Sequence, residues 1–226
     1  WRNFCISDTY EPGSTFKPLT VAAALESGSI SQNDSFYCEG YYTVSGQMIR
    51  CAVYPGAHYE LSVAQARAQS CNACLMQIGE QIGISDFVRY QKIFNFGSKT
   101  GIDLPGESSG VLFTEDEMGP VELATSTFGQ GFNCTMIQEA AAFCSLINGG
   151  YYYTPHVVSA VTDSSGSVVQ TMDSMLKSQT VSQETSDFIR EALAGSVNGG
   201  SGSSAKVEGY SMGGKTGTAQ KFPRSE

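Results

Sequence analysis

One stretch near the C-terminal end of this 226-residue chain, Gly209 through Ala219, is compatible with two unrelated folds, and the rest of the sequence has to choose between them. Gly209 to Thr216 spells G-x-x-x-x-G-K-T, the pattern of a loop whose backbone amides cradle phosphates between a strand and a helix. Lys215-Thr216-Gly217 also spells K-T-G, a triplet carried on an extended segment beside a serine nucleophile. The phosphate-loop fold needs a buried apolar strand before the loop and a helix after it. Here Ser204-Ala205-Lys206-Val207-Glu208 precedes it, too polar for a buried strand, and Gly217 and Pro223 oppose a helix behind it. No βαβ alternation occurs elsewhere, so the serine reading stands.

That reading requires S-x-x-K, S-x-N and K-T-G in this order, and spelling alone does not locate them. S-x-x-K occurs at Ser14–Lys17, Ser174–Lys177 and Ser203–Lys206; S-x-N at Ser31–Asn33, Ser70–Asn72 and Ser196–Asn198; K-T-G at Lys99–Gly101 and Lys215–Gly217. Context selects among them. Ser14 follows the Pro12-Gly13 turn and opens an apolar helix (Leu19, Val21, Ala22, Ala23, Ala24, Leu25) that runs to Gly28. Lys17, three residues on, shares a face with Ser14, and Pro18 is tolerated so close to a helix start. Ser70-Cys71-Asn72 reads as part of a helix capped by Ser62 and closed by Gly83, whereas Ser31–Asn33 sits in a polar turn. Lys99–Gly101 lies in a Gly/Pro-rich loop covering 97–120, whereas Lys215 opens an extended piece from about Ser211 to Lys221.

Further elements follow from capping and turn residues. Residues 33–60 read as irregular with one small hairpin around Ser45-Gly46. Ser85 and Asp86 open a helix to Phe94. Helices are also expected from Thr135 to Leu146 and from Gln183, capped by Ser182, to Val197. A hairpin turning at Asp163-Ser164-Ser165-Gly166 lies between those two. The net charge of −9 argues against nucleic-acid binding, which wants a basic face. No apolar run reaches the ~18 residues of a membrane-spanning helix.

Seven cysteines do not pair off evenly. Cys38 and Cys51 bracket the 33–60 excursion, where a disulfide and two idle thiols are equally open readings. Only His58 and His156 accompany the cysteines. No Cys/His set is evident at zinc-ligand spacing, so neither a metal nor a cofactor is expected, and His58 reads as a loop residue.

The segment Tyr10-Glu11-Pro12-Gly13-Ser14-Thr15-Phe16-Lys17-Pro18 resembles the active-site segment of high-molecular-weight penicillin-binding proteins. So do Ser70-Cys71-Asn72, the loop from Lys99 to Glu107, Phe128-Gly129-Gln130-Gly131 and Gly214 to Gln220. The resemblance runs from about Arg2 to Lys221 and is to the class B, monofunctional transpeptidases of division, elongation or sporulation. It implies an α+β, penicillin-binding-protein/β-lactamase-like fold, a helical subdomain plus an antiparallel sheet. The chain then reads as a partial transpeptidase domain over 1–226, with much of the central sheet, the N-terminal strands, pedestal and membrane anchor, and the C-terminal strands lying outside it. Such a chain is expected to be marginally stable and poorly active alone.

The implied activity is a peptidoglycan D,D-transpeptidase on the extracytoplasmic face of a bacterial membrane, working within a membrane-anchored cell-wall synthesis complex. Ser14 would form an acyl-enzyme with D-Ala-D-Ala stem peptides, and β-lactams would acylate it covalently. Lys17 is the implied base, Ser70 a proton relay and Asn72 a holder of the substrate amide. Lys215, Thr216, Gly217 and Thr218 would receive the terminal carboxylate, with the backbone amides of Ser14 and Thr218 as oxyanion hole. A D,D-carboxypeptidase, a β-lactamase and a β-lactam-binding sensor or scaffold without turnover share these residues and stay open as readings.

Overall fold

The computed structural model describes residues 2–218 as helices wrapped around one buried helix, with five separate two-stranded antiparallel pairs at the periphery. In chain order the first elements are α1 (Phe4–Ser7), β1 (Thr9–Tyr10), a 3-10 turn (Gly13–Phe16) and α2 (Lys17–Glu26). Four short strands follow, β2 (Ser35–Cys38), β3 (Tyr41–Val44), β4 (Gln47–Arg50) and β5 (Tyr59–Ser62), then α3 (Val63–Ala68) and α4 (Asn72–Ile93). The second half holds α5 (Pro120–Ser126), β6 (Cys134–Thr135), α6 (Met136–Ile147), β7 (Tyr151–Tyr153), β8 (Ala160–Thr162), β9 (Val168–Thr171), β10 (Leu176–Gln179) and α7 (Gln183–Val197). None of the helices among the described residues is long and apolar enough to cross a membrane.

The central helix is α2. Every residue from Lys17 to Ala24 is buried, because the helix carries apolar side chains all round and packs against α3, α4, α6 and α7. Phe16, just before it, meets Phe132, Phe96 and Phe87 edge-on at centroid distances of 4.8, 5.2 and 6.3 Å. Ser14 and Lys17 are thus anchored to the densest part of the core.

Several expected boundaries recur. Ser62, Thr135 and Ser182 cap α3, α6 and α7 through side chains that accept from backbone N–H groups. The hairpin turning at Asp163 to Gly166 is β8–β9. Two expectations need correction. Residues 33–60 are more regular than their composition implies: β3–β4 turns at Ser45-Gly46 and is nested between β2 and β5, which pair with each other. The helix expected to run unbroken from Ser62 to Gly83 is two helices. Cys71 N–H donates to Ala66 O at 2.8 Å and Ser70 N–H to Arg67 O at 3.0 Å, while Ser70 adopts φ 55°. This is a Schellman stop with serine where glycine is usual. Gly83, at φ 74° and ψ 166°, leaves helical geometry inside the α4 span, so the expected stop at Gly83 and the following helix to Phe94 appear as two helices joined across a sharp kink.

Ser211 to Thr218 has no regular secondary structure and forms no ladder with any strand among the described residues. It is held by α7, through Gly214 N–H to Leu193 O at 3.2 Å, and by Gly217, where a Cβ would meet Thr15 Cγ2 at 2.7 Å. The expected continuation from Ala219 to Lys221 lies outside the described residues.

Candidate active site

Three segments far apart in sequence converge on one hydroxyl, that of Ser70. Lys17 leaves the first turn of α2 fully buried and spends its three ammonium protons on Ser70 O (2.6 Å), Ser70 Oγ (2.9 Å) and Asn72 Oδ1 (2.6 Å). Lys215 donates to the same Ser70 Oγ at 2.9 Å and to Thr216 O at 2.8 Å. Ser70 Oγ in turn donates to Ser14 Oγ at 3.3 Å. With two acceptor positions and one donor, the Ser70 hydroxyl is then fully used.

The break between α3 and α4 makes this possible. Inside a continuous helix, Ser70 and Asn72 would point to different faces; the left-handed Ser70 lets both meet Lys17. Non-glycine residues in this region store roughly 1–3 kcal/mol and concentrate at functional sites.

Desolvation, and then the charge of Lys215, bring the Lys17 ammonium down to about 7. Burial and nearby Arg67 lower Lys215 to about 8. Two ammonium groups sharing one hydroxyl in a half-dry pocket favour the state in which one of them is neutral.

The remaining predicted residues are placed less firmly. Thr216 Oγ1 lies 3.3 Å from both Lys215 Nζ and Ser201 Oγ. Gly217 abuts Thr15, and Thr218 is exposed with no hydrogen bond fixing it among the described residues. A cleft lined by Tyr10, Thr15, Glu139, Phe143, Gly214 and Lys215 opens beside this segment.

Two outer motifs act as supports. Gly13 N–H donates to Gly129 O at 2.8 Å, and a Cβ on Gly129 (φ 80°) would lie 2.2 Å from Gly13 O. Phe128 to Gly131 therefore backs the turn that presents Ser14. Under the reading in which Ser14 is the serine that a β-lactam acylates, a Gly129→Ala variant is expected to lose about a hundredfold in acylation rate, a cost that an ångström's misplacement can carry; stopped-flow acylation with matched circular dichroism measures it. In the Lys99–Glu107 loop, Glu107 accepts from Thr100 N–H (2.7 Å), Thr100 Oγ1 (2.5 Å) and Gly101 N–H (3.1 Å). That K-T-G copy closes a loop on itself.

The cysteines require a correction. Cys38 and Cys51 form no disulfide; both thiols are free and buried. They meet His58 and Cys71, which the spacing did not connect to them, in a group of four donor atoms lying within 4.8 Å of one another. The expectation of no metal-ligand set rested on linear spacing. The fold draws the four from β2, the β4–β5 connection and the α3–α4 break, so no short motif spells the cluster.

Comparison with known proteins identifies the family. The sequence profile of the penicillin binding protein transpeptidase domain matches residues 1–226. Stage V sporulation protein D of Bacillus subtilis is 45% identical over 222 residues, 97% of this chain and 34% of that protein. Penicillin-binding protein PbpB of Mycolicibacterium smegmatis is 29% identical over 227 residues, 97% of this chain and 35% of that protein. The chain thus spans about a third of the length of these curated relatives. Among solved structures, the D,D-transpeptidase domain of a peptidoglycan glycosyltransferase from Eggerthella lenta superposes with TM-score 0.90 at 26% identity, covering 98% of this chain and 57% of that one. Penicillin binding protein 3 of Mycobacterium tuberculosis, complexed with aztreonam, gives 0.86 at 28% identity, covering 97% and 50%.

Proposed function

The chain belongs to the penicillin-binding protein transpeptidase family, and from that premise we propose that it carries the acyl-transfer site of a peptidoglycan D,D-transpeptidase with Ser14 as nucleophile. The observation that carries this reading is the hydrogen-bonded line from Lys17 through Ser70 to Ser14, with Lys215 on the same Ser70 hydroxyl. No hydrogen bond joins Lys17 to Ser14 directly among the described residues, so Ser70 is the link.

The line works in one direction when Lys17 is charged and in the other when it is neutral. While both lysines donate to Ser70, the Ser70 proton faces Ser14. Once Lys17 is neutral, its lone pair can accept the Ser70 proton and Ser70 Oγ can accept that of Ser14. The Ser14 oxygen then attacks the penultimate D-alanine carbonyl of a stem peptide, and the proton passes along the line to Lys17. Collapse breaks the C–N bond, D-alanine leaves with a proton returned by the same line, and an ester on Ser14 remains. A second stem-peptide amine resolves the ester into a cross-link. Asn72 would hold the substrate amide. Lys215, Thr216, Gly217 and Thr218 would meet its carboxylate, and the amides of Ser14 and Thr218 would receive the developing oxyanion. A β-lactam carbonyl would enter by the same attack and remain as a slowly hydrolysed ester. The setting is the outer face of a bacterial membrane, in a cell-wall synthesis complex.

Intact-mass and peptide spectrometry after β-lactam treatment of the full-length protein tests the assignment. A persistent adduct on Ser14, absent from Ser14→Ala, is expected. Modification at another residue, or rapid release of the adduct as in a β-lactamase, would sink it.

A further inference from the structure

The three cysteines and the histidine gathered behind Ser70 have no part in that chemistry, and their geometry is that of metal ligands. Cys38 Sγ lies 3.5 Å from His58 Nδ1, Cys51 Sγ lies 3.7 Å from the same nitrogen, and Cys51 Sγ lies 3.8 Å from Cys71 Sγ. A tetrahedral zinc with bonds of about 2.3 Å to sulfur and 2.0–2.1 Å to nitrogen places its donors about 3.5–3.8 Å apart, edge to edge. All three thiols are buried and His58 is half-buried, so the set is closed rather than open to solvent.

We propose that Cys38, Cys51, His58 and Cys71 form a structural Cys3His site for zinc, or for a divalent ion of similar softness. Three thiolates and an imidazole are the donor set that favours such ions over magnesium or calcium. Two backbone donors already address the sulfurs: Gly40 N–H to Cys38 Sγ at 3.3 Å and Cys74 N–H to Cys71 Sγ at 3.5 Å. Such outer contacts orient thiolate ligands and spread their charge. A disulfide is the poorer account of the cluster. Its bond needs sulfurs about 2.05 Å apart, and it would leave the third thiol and the imidazole against each other without a function. In an oxidising compartment a bound metal also keeps these thiols from random pairing.

The position of the site gives it a second role. Cys71 lies between Ser70 and Asn72, both ligands of the Lys17 ammonium. Cys38 and Cys51 belong to the β2–β5 excursion, which otherwise reaches this region through Val63 N–H to Asp34 O and Gln77 Nε2 to Tyr37 O. Metal bonds would therefore fasten the strained α3–α4 break to the excursion and hold Ser70 in place. The metal assignment stands independently of the acyl-transfer reading; only this positioning role rests on it.

The test uses the protein at its natural full length, purified under reducing conditions. Native mass spectrometry and elemental analysis are expected to give one zinc per chain. Replacement by Co(II) should produce the thiolate-to-cobalt charge-transfer and visible d–d absorption of a tetrahedral sulfur-rich site. His58→Ala and Cys38→Ser are expected to lose the metal or weaken it at least tenfold. His58→Cys, which preserves four ligands, should retain it with a shifted cobalt spectrum, separating ligand loss from general misfolding. Chelation should lower the melting temperature and slow acylation of Ser14 together, and both should return on adding zinc. Fewer than about 0.2 zinc per chain after incubation with the ion, a Cys51–Cys71 disulfide that persists in reductant, or undiminished binding by His58→Ala and Cys38→Ser would overturn the proposal. Metal bound normally with acylation unchanged by chelation would remove the positioning role alone, and an inactive protein that still binds one zinc would count against the acyl-transfer reading and not this one.

Discussion

Replacing Lys17 by methionine is expected to slow β-lactam acylation of Ser14 by about 10³–10⁴-fold while leaving the protein folded. The side chain is fully buried in an otherwise apolar helix, so a methionine of similar length fills its volume. What is removed is the proposed proton acceptor, and general-base groups in enzymes are worth about 10²–10⁴-fold. Loss of Lys17 also leaves Asn72 Oδ1 and Ser70 O without their donor, adding a positional cost at the upper end of that range. The pH profile supplies the diagnostic. Lys17 is shifted from 10.5 down to about 7, so its neutral form rises as pH increases through that region. The acylation rate of the unaltered protein should climb about tenfold from pH 6 to 8 with one apparent proton lost, and Lys17→Met should flatten that limb. The groups facing Lys17 set the position of the limb. Burial first, and then the charge of Lys215, push its pKa down, while negative charge on Cys51, Cys71 or Cys74 opposes this. Stopped-flow acylation across pH measures both effects. A methionine variant within tenfold of the unaltered protein would show that Lys17 is not the base.

Folding stability carries the same shift with its own sign. A lysine whose folded pKa lies below its unfolded value binds fewer protons in the native state over the interval between them. The contribution of Lys17 therefore favours folding increasingly as pH rises from about 7 toward 10.5. Acid charges a buried amine and costs stability. A less stable protein at pH 6 than at pH 8 is thus consistent with a faster one at pH 8.

What could be seen in the sequence was whatever is written locally. Caps such as Ser62, Thr135 and Ser182 accept from backbone N–H groups at their own helix starts, so a short window contains the whole cause. Ser14 and Lys17 could be singled out for a related reason: they sit at a local turn and helix start that pick one S-x-x-K copy from several. The break at Ser70 was not legible. Its Schellman stop uses a serine at φ 55°, and a serine in an apolar 3.6-residue pattern looks like helix interior. The hidden cysteine cluster failed for the opposite reason. Its members are separated by 13, 7 and 13 residues, and only the pairing of β2 with β5 and the end of α3 bring them together. Spacing rules for metals recognise ligands on one hairpin or helix and cannot see a site closed by tertiary structure.

Phe16→Ala is expected to cost about 3–5 kcal/mol of folding stability, the range for emptying a buried aromatic site. The ring is 2% exposed and meets Phe132, Phe96 and Phe87 edge-on, contacts worth about 0.5–1.5 kcal/mol each beyond burial. These partners come from α4, the segment after it and the loop ahead of β6, so the cavity cannot close by moving one element. Against a typical domain stability of about 5–15 kcal/mol, such a loss removes about a fifth of the margin or more. Chemical denaturation should show a large drop in midpoint with little change in slope, which reports lost stability rather than a changed unfolded state. Phe16→Leu should recover more than half of the loss, because it restores apolar volume without the ring edges. Phe16 lies between Ser14 and Lys17, so the alanine variant should also acylate slowly in the fraction that remains folded. A midpoint unchanged in Phe16→Ala would mean that the aromatic cluster does not anchor the turn that presents Ser14.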